Sequence, residues 1–265
     1  MRKEDREGNE SIFLRSELLL GRSGMERLKN SSVAVFGLGG VGGHCAEALA
    51  RSGVGRLILV DSDRVSETNL NRQCVAFRST IGQMKTKVME QIIKEICPDT
   101  EVMTFETFVL PDNVEKIFEK AGPVDYIVDA IDTVTAKLAL ADWAAEHGVS
   151  MISSMGTGNK LHPERFRLAD IEDTAVCPLC RVMRRELKKR GIRGLRVLYS
   201  EETPVQPDPV LEQEILVEEQ ASGSGRRSIP GSVSFVPSAA GLMIAGGVVR
   251  DLTFGTETAK MKKTT

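Results

Sequence analysis

The chain has 265 residues and is short of several things whose absence narrows its reading. Its five cysteines, Cys45, Cys74, Cys97, Cys177 and Cys180, are an odd number without regular spacing. That speaks against a disulfide framework and for a reducing cytoplasm. The charged N-terminus shows no signal-peptide pattern, in keeping with the same location. The longest apolar run, Phe235 to Val249, is short for a bilayer and rich in Gly and Ala. A small-residue helix packed on a sheet is expected there, and no membrane. Net charge is only −2. The chain is therefore no general polyanion binder, and any nucleic-acid surface must be a local patch. There is no internal repeat. What remains is ordinary: 41% hydrophobic and 27% charged residues, enough for one large α/β domain or two small ones.

Pattern reading gives alternating elements. Residues 1–10 are expected to fray. A helix is expected over 11–30, then strand 33–36, helix 42–52 and strand 57–60. After an irregular stretch, 62–79, come helix 84–96, strand 102–108, helix 111–120, strand 126–128, helix 133–147 and strand 149–153. Continuous apolar strands separated by helices predict a Rossmann-like, doubly wound, mostly parallel sheet covered on both faces. Past Ser154 the pattern changes. A strand outside the parallel set is expected at 166–171, a basic helix at 178–190, a strand at 195–199 and an apolar helix at 236–252. Residues 201–230, with four prolines and many Glu, Ser and Gly, read as a mobile connection. One domain over 11–252 is expected, with a nucleotide-binding part at about 31–154 and a substrate-side part at about 155–252.

The chemistry lies in the first part. Gly37-Leu38-Gly39-Gly40-Val41-Gly42 follows a strand and opens a helix. Missing side chains let backbone amides approach phosphate, and the helix N-terminus favours negative charge. Asp61 ends the second strand about 20 residues on, where an acidic side chain accepts hydrogen bonds from ribose hydroxyls. Those features suit NAD and ATP equally. The discrimination comes from Asn69, Arg72 and Lys85, which place cations where the chain passes over a nucleotide. Asp132, at a strand carboxyl end, would hold Mg²⁺ beside the phosphates. Taken singly, Lys85 is ordinary as a solvated helix residue and Arg72 as a surface ion pair. Taken together, at successive strand ends around one crevice, they favour ATP and adenylation over hydride transfer.

These motifs resemble the ubiquitin-activating-enzyme-like (ThiF/MoeB-type) adenylating superfamily. The residues that carry the resemblance are GLGGVGG at 37–43, DSD at 61–63, NLNRQ at 69–73, GQMK at 82–85 and DAID at 129–132. Within it the chain is most similar to the tRNA threonylcarbamoyladenosine dehydratase branch. That similarity rests on RSELLLG at 15–21, DAIDTVTAK at 129–137, SSMGTGNKLHPERF at 153–166, CPLCRVMRRELKKRG at 177–191 and IPGSVSFVPSAAG at 229–241. The resemblance implies that Gly37, Gly39, Gly40, Gly42, Asp61, Asp63, Asn69, Asn71, Arg72, Gln73 and Lys85 bind ATP. It also implies a homodimer in which Arg15 reaches the partner's site and joins Arg72, Lys85 and Asp132 in catalysis.

The acid to be adenylated is a separate question. Sulfur-carrier branches activate the C-terminal glycine of a ubiquitin-like protein, and commonly hold zinc between two CxxC pairs. Here Cys177 and Cys180 form one pair, Ser232 and Ser234 stand near the place of the second, and His162 is a lone third ligand. No intramolecular zinc is expected. The dehydratase branch adenylates the threonyl carboxylate of a modified adenosine in tRNA, after which an internal nitrogen closes a ring and releases AMP. A local basic segment suits it: Arg181, Arg184, Arg185, Lys188, Lys189, Arg190, Arg193 and Arg196, opposed only by Glu186. Aromatic stacking platforms are scarce, with only Phe166 and Tyr199 nearby. Three functions stand: a tRNA-modifying enzyme, an activator of a sulfur carrier, and a nucleotide or NAD-binding module without adenylation chemistry. The residues leave open whether a sulfur-relay protein is a partner.

Overall fold

A computed structural model describes residues 12–221, 230–255 and 262–263. The expected frayed N-terminus and part of the expected mobile connection lie outside these residues. Helix α1 (Leu14–Lys29) precedes β1 (Ser32–Phe36), α2 (Gly42–Arg51), β2 (Arg56–Val60), α3 (Lys85–Ile96), β3 (Glu101–Phe105), α4 (Val114–Ala121), β4 (Tyr126–Asp129), α5 (Val134–His147) and β5 (Ser150–Ser154). The remainder adds β6 (Phe166–Asp170), α6 (Pro178–Lys189), β7 (Ile192–Arg193), β8 (Arg196–Ser200), α7 (Pro209–Ala221), α8 (Phe235–Phe254) and β9 (Lys262–Lys263).

One sheet runs through both parts in the order β3-β2-β1-β4-β5-β8-β6. Neighbours are parallel throughout except β6, which pairs antiparallel with β8 at the edge. Side chains alternate between the faces. Val33, Val35, Leu57 and Leu59 join one core with α2, α3 and α8, whereas Ala34, Phe36, Ile58 and Val60 join another with α4, α5 and α6. Burial on both faces explains why these strands read as unbroken apolar runs.

Four departures from the pattern have local causes. Strand β3 stops at Phe105, because its neighbour β2 ends at Val60, the partner of Phe105, and Phe108 is exposed. Helix α1 is kinked at Gly21, whose φ of 71° suits a residue without Cβ. The connection expected to be mobile contains α7. Asp208 starts it by accepting the amides of Val210 (2.9 Å) and Leu211 (3.4 Å), with Pro209 in the first helical position. Helix α8 is longer than expected, long and apolar enough by composition to cross a membrane, yet it packs against α1, α2 and the sheet. A side chain at Gly241 would collide with the carbonyl of Val41, so this small residue sets how closely α8 meets α2. At its far end, Asp251 accepts a hydrogen bond from Tyr126 (2.7 Å) and pairs with Arg196, tying α8 to β4 and β8.

Candidate active site at the carboxyl edge of the sheet

Strand β1 lies between β2 and β4, where the order of connections reverses. In open α/β sheets that reversal opens a crevice at the strand carboxyl ends. Register makes the three ends level: Phe36 faces Val60 on one side and Asp129 on the other. The residues that follow therefore emerge together. They are the glycine turn after β1, Asp61–Asp63 after β2, and Ala130–Asp132 after β4.

The turn is fixed from both sides. Gly37 has φ of 85°, and a side-chain carbon there would stand 2.8 Å from the carbonyl oxygen of Ala130. A side chain at Gly42 would collide with the carbonyl of Gly37, and one at Gly40 would meet Pro237 at 2.9 Å. Buried Asp61 holds the start of the turn: its Oδ2 accepts the amide of Leu38 at 2.6 Å, and its Oδ1 that of Asp63 at 2.7 Å. Burial pushes its carboxyl above the usual range, while Lys85 and these two amides oppose the rise. The amides of Gly39, Gly40 and Val41 have no acceptor among the described residues. An anion is the natural partner for such a run at a helix start.

The remaining residues surround the turn. Segment 62–85 doubles back, with Arg64 bridging Met84 and the amide of Lys85 on the carbonyl of Asp63 (3.0 Å). This brings Lys85 Nζ within 2.7 Å of Asp63 Oδ2. Lys85 is 6% exposed and Asp63 62% exposed, so the ammonium is enclosed while its partner stands in water. Asn69 is buried and accepts the amide of Ser66. Arg72 is tethered through Nη1 to the carbonyl of Thr68 and to Asn71 Oδ1, both at 2.8 Å. Asn71 in turn donates to the carbonyl of Ser232 (3.0 Å). Gln73 Nε2 lies 4.0 Å from where a Gly39 side chain would begin, and its buried Oε1 has no partner among the described residues. Asp132 is exposed, with one oxygen touched by the hydroxyl of Thr133 at 3.3 Å. A separate cavity of about 650 Å³, lined by Phe13, Phe77, Val88, Ile92 and Ile96, lies away from this edge. That cavity also has Arg51, Thr80, Gln91 and Glu95 in its walls, but the run of unanswered amides and the enclosed ammonium stand at the strand ends, which carry the functional reading.

Other expected site residues lie elsewhere. Arg15 is exposed on α1. On α6 the basic residues divide. Arg184 is spent inside the fold, donating to the carbonyl (2.6 Å) and hydroxyl of Thr174. Arg196 is held by Asp251. Arg185 and Lys189 pair with Glu186 at 3.0 and 2.9 Å, and Arg190 with Asp142 at 3.6 Å. Arg181, Lys188 and Arg193 are exposed without such a partner among the described residues. The basic run is thus a smaller patch than the sequence suggests. Cys177 caps the same helix, and the thiol of Cys180 holds its own down to about 6 against burial. His162 is engaged by Glu164 at 2.7 Å.

A group absent from the sequence reading stands at the ends of β4 and β5. Lys137 is wholly buried and donates to Asp129 Oδ2 (3.1 Å), Ser153 Oγ (3.2 Å) and the carbonyl of Ser154 (2.7 Å). Asp129 Oδ1 accepts the amide of Ile131, which shapes the turn that presents Asp132. The one signal in the sequence was a lysine among the apolar residues of α5. Nearby, Glu202 accepts the amides of Leu161 (2.9 Å) and His162 (3.0 Å) and shapes the loop after β5.

The pattern that defines the ThiF family matches residues 13–263. This chain belongs to the ThiF family. Among ThiF relatives, the tRNA threonylcarbamoyladenosine dehydratase of Bacillus subtilis is 42% identical over 254 residues, 94% of this chain and 98% of that one. The protein of the same name from Escherichia coli is 34% identical over 197 residues, 71% and 73% of the two chains. The crystal structure of the Escherichia coli dehydratase in complex with ATP is similar with a TM-score of 0.79 and 28% identity, covering 91% of this chain and 93% of that one. The doubly wound sheet with its glycine turn is accordingly the ThiF fold.

Proposed function

We infer that this ThiF-family chain is an ATP-dependent tRNA threonylcarbamoyladenosine dehydratase. It adenylates the threonyl carboxylate of the modified adenosine, and an internal nitrogen then displaces AMP to close the ring. The carrying observation is the 42% identity with a dehydratase over nearly the full length of both chains. The adenylation half is supported by the unpartnered amides of Gly39, Gly40 and Val41, with Lys85 enclosed beside them. In that step a carboxylate oxygen attacks the α-phosphorus and pyrophosphate leaves. The site's task is to position two anions and neutralise them. The turn amides, Lys85 and Arg72 would take the phosphates. Asp61 keeps the turn in place and has lone pairs left for ribose hydroxyls.

Asp132 fits a magnesium ion. It is a hard oxygen donor, exposed at the strand edge and touched on one oxygen only by a hydroxyl. Bound there with the phosphates, magnesium would neutralise charge on the triphosphate. A homodimer is supported by the first half of α1, where Leu14, Leu18 and Leu19 are exposed beside Arg15. In a dimer Arg15 would act in the neighbouring site. Mixed dimers of Arg15→Ala and Asp132→Ala chains should then recover activity that neither variant has, and no recovery despite verified mixing would remove the trans role. The continuous sheet supports a single adenylating domain over about 11–252, and a tRNA substrate suits action in the cytoplasm.

The deciding experiment is nucleoside mass spectrometry of tRNA incubated with the protein, Mg²⁺ and ATP. The threonylcarbamoyl nucleoside should lose one water as AMP and pyrophosphate form. An adenylated ubiquitin-like carrier, with the nucleoside unchanged, would assign the chain to the sulfur-carrier reading instead.

A further inference from the structure

His44 and Glu47 stand one turn apart on α2, three residues being the spacing that shares a helix face. Cys74 follows Gln73 in the loop that crosses this face. The ligand atoms of the three residues lie within 4.8 Å of one another, and all three residues are half-buried. A glycine makes the meeting fit: a side-chain carbon at Gly43 would stand 2.9 Å from Cys74 Sγ. Glu47 gives Oε1 to Arg51 at 2.9 Å, which leaves Oε2 for another partner. Burial and the Glu47 carboxylate push the Cys74 thiol up to about 12. A cation at this place would displace the thiol proton and offset both negative charges.

We propose that His44, Glu47 and Cys74 bind one divalent ion of the zinc class per chain, in departure from the expectation of no intramolecular zinc drawn from the CxxC pair. Thiolate, imidazole and carboxylate are the donors that zinc takes, whereas magnesium and calcium select oxygen alone. Zinc bond lengths set such donors roughly 3.3–3.7 Å apart, so the trio closes by at most about 1.5 Å, within the reach of half-buried side chains. Three protein donors leave a fourth position for water. Each ion bound sends the proton of Cys74 to solvent. The site is distinct from the strand-edge crevice but linked to it. Helix α2 begins at the glycine turn, and Cys74 directly follows the segment bearing Asn69, Arg72 and Gln73. The ion would clamp one to the other, whatever acid the protein adenylates.

The test uses the full chain, stripped with chelator and titrated with Zn²⁺ by calorimetry, then with Co²⁺ by absorption. One Zn²⁺ per chain is expected, and cobalt should show thiolate charge-transfer absorption. Cys74→Ser should abolish that absorption. His44→Ala and Glu47→Gln should weaken binding by at least about tenfold, with circular dichroism unchanged. Cys177→Ser should alter neither readout. The proposal fails if no thiolate absorption appears. It also fails if the absorption survives Cys74→Ser and vanishes in Cys177→Ser, which would place the metal at the CxxC pair.

Discussion

Lys85 and Lys137 are both buried lysines near the carboxyl edge of one sheet, and their surroundings differ in one respect. Around Lys137 the fold supplies every partner: a buried carboxylate, a hydroxyl and a carbonyl, with the ammonium and Asp129 almost wholly enclosed. Around Lys85 it supplies one hydrogen-bonding carboxylate, Asp63, which itself stands in water, and the charge of Asp61, whose oxygens are taken up by backbone amides. The first region is complete without a ligand. The second gathers an enclosed cation and a run of unanswered amides, and so has capacity left for an anion. Partner inventory, rather than burial, separates a structural charge from a binding one.

The largest effect should come from breaking the complete region. Lys137→Met leaves Asp129 charged and buried, and should cost about 3 to 5 kcal/mol of stability in urea unfolding. Adding Asp129→Asn should recover part of that loss, because the uncompensated charge is gone. A single variant as stable as the parent would show that the pair is not the closed structural unit described.

Lys85→Met tests the other side of the comparison. Asp63 is mostly exposed and regains water, while Asp61 loses a nearby positive charge but keeps its two amides, so stability should fall by about 1 kcal/mol, well short of the loss for Lys137→Met. ATP–pyrophosphate exchange should fall by roughly 10²–10³, the scale for removing one preorganised charge from a transition state. A stability loss as large as that of Lys137→Met, with exchange intact, would reverse the assignment of the two lysines.

The same distinction explains what the sequence did and did not disclose. The doubly wound sheet was legible because strands buried on both faces must be continuously apolar. The glycine turn was legible because close backbone approach requires missing side chains, as at Gly37 and Gly42. Asp61 and Asp132 could be named because they follow strand ends that the topology brings level, and Lys85 because it opens the helix after the segment that doubles back over them. Lys137 could not be: its partners, Ser153 and Ser154, are 16 and 17 residues away, and only the pairing of β4 with β5 joins them. Helix α7 was hidden by composition, since prolines and glutamates suggest a loop until Asp208 and Pro209 are seen as its cap. The basic run misled in the opposite direction. A sequence counts charges but does not show which are already answered within the fold.

That last point sets the most finely graded prediction. Arg184 has the carbonyl and hydroxyl of Thr174 as partners, whereas Arg181 and Lys188 are exposed without one among the described residues. If this face of α6 meets tRNA, Arg181→Glu with Lys188→Glu should weaken binding and lower the slope of log K against log salt. Loss of each phosphate contact should reduce that slope by about 0.7–0.9. ATP binding should persist, because neither residue belongs to the strand-edge site. Arg184→Gln should leave the salt slope unchanged and loosen the 174–177 turn, detectable as faster amide exchange there. Equal slopes for all three proteins would make the α6 face a solvated surface and move the tRNA contact elsewhere. A slope reduced by Arg184→Gln alone would mean that internal partners do not withdraw a cation from RNA, and the rule drawn from Lys85 and Lys137 would not extend to the surface.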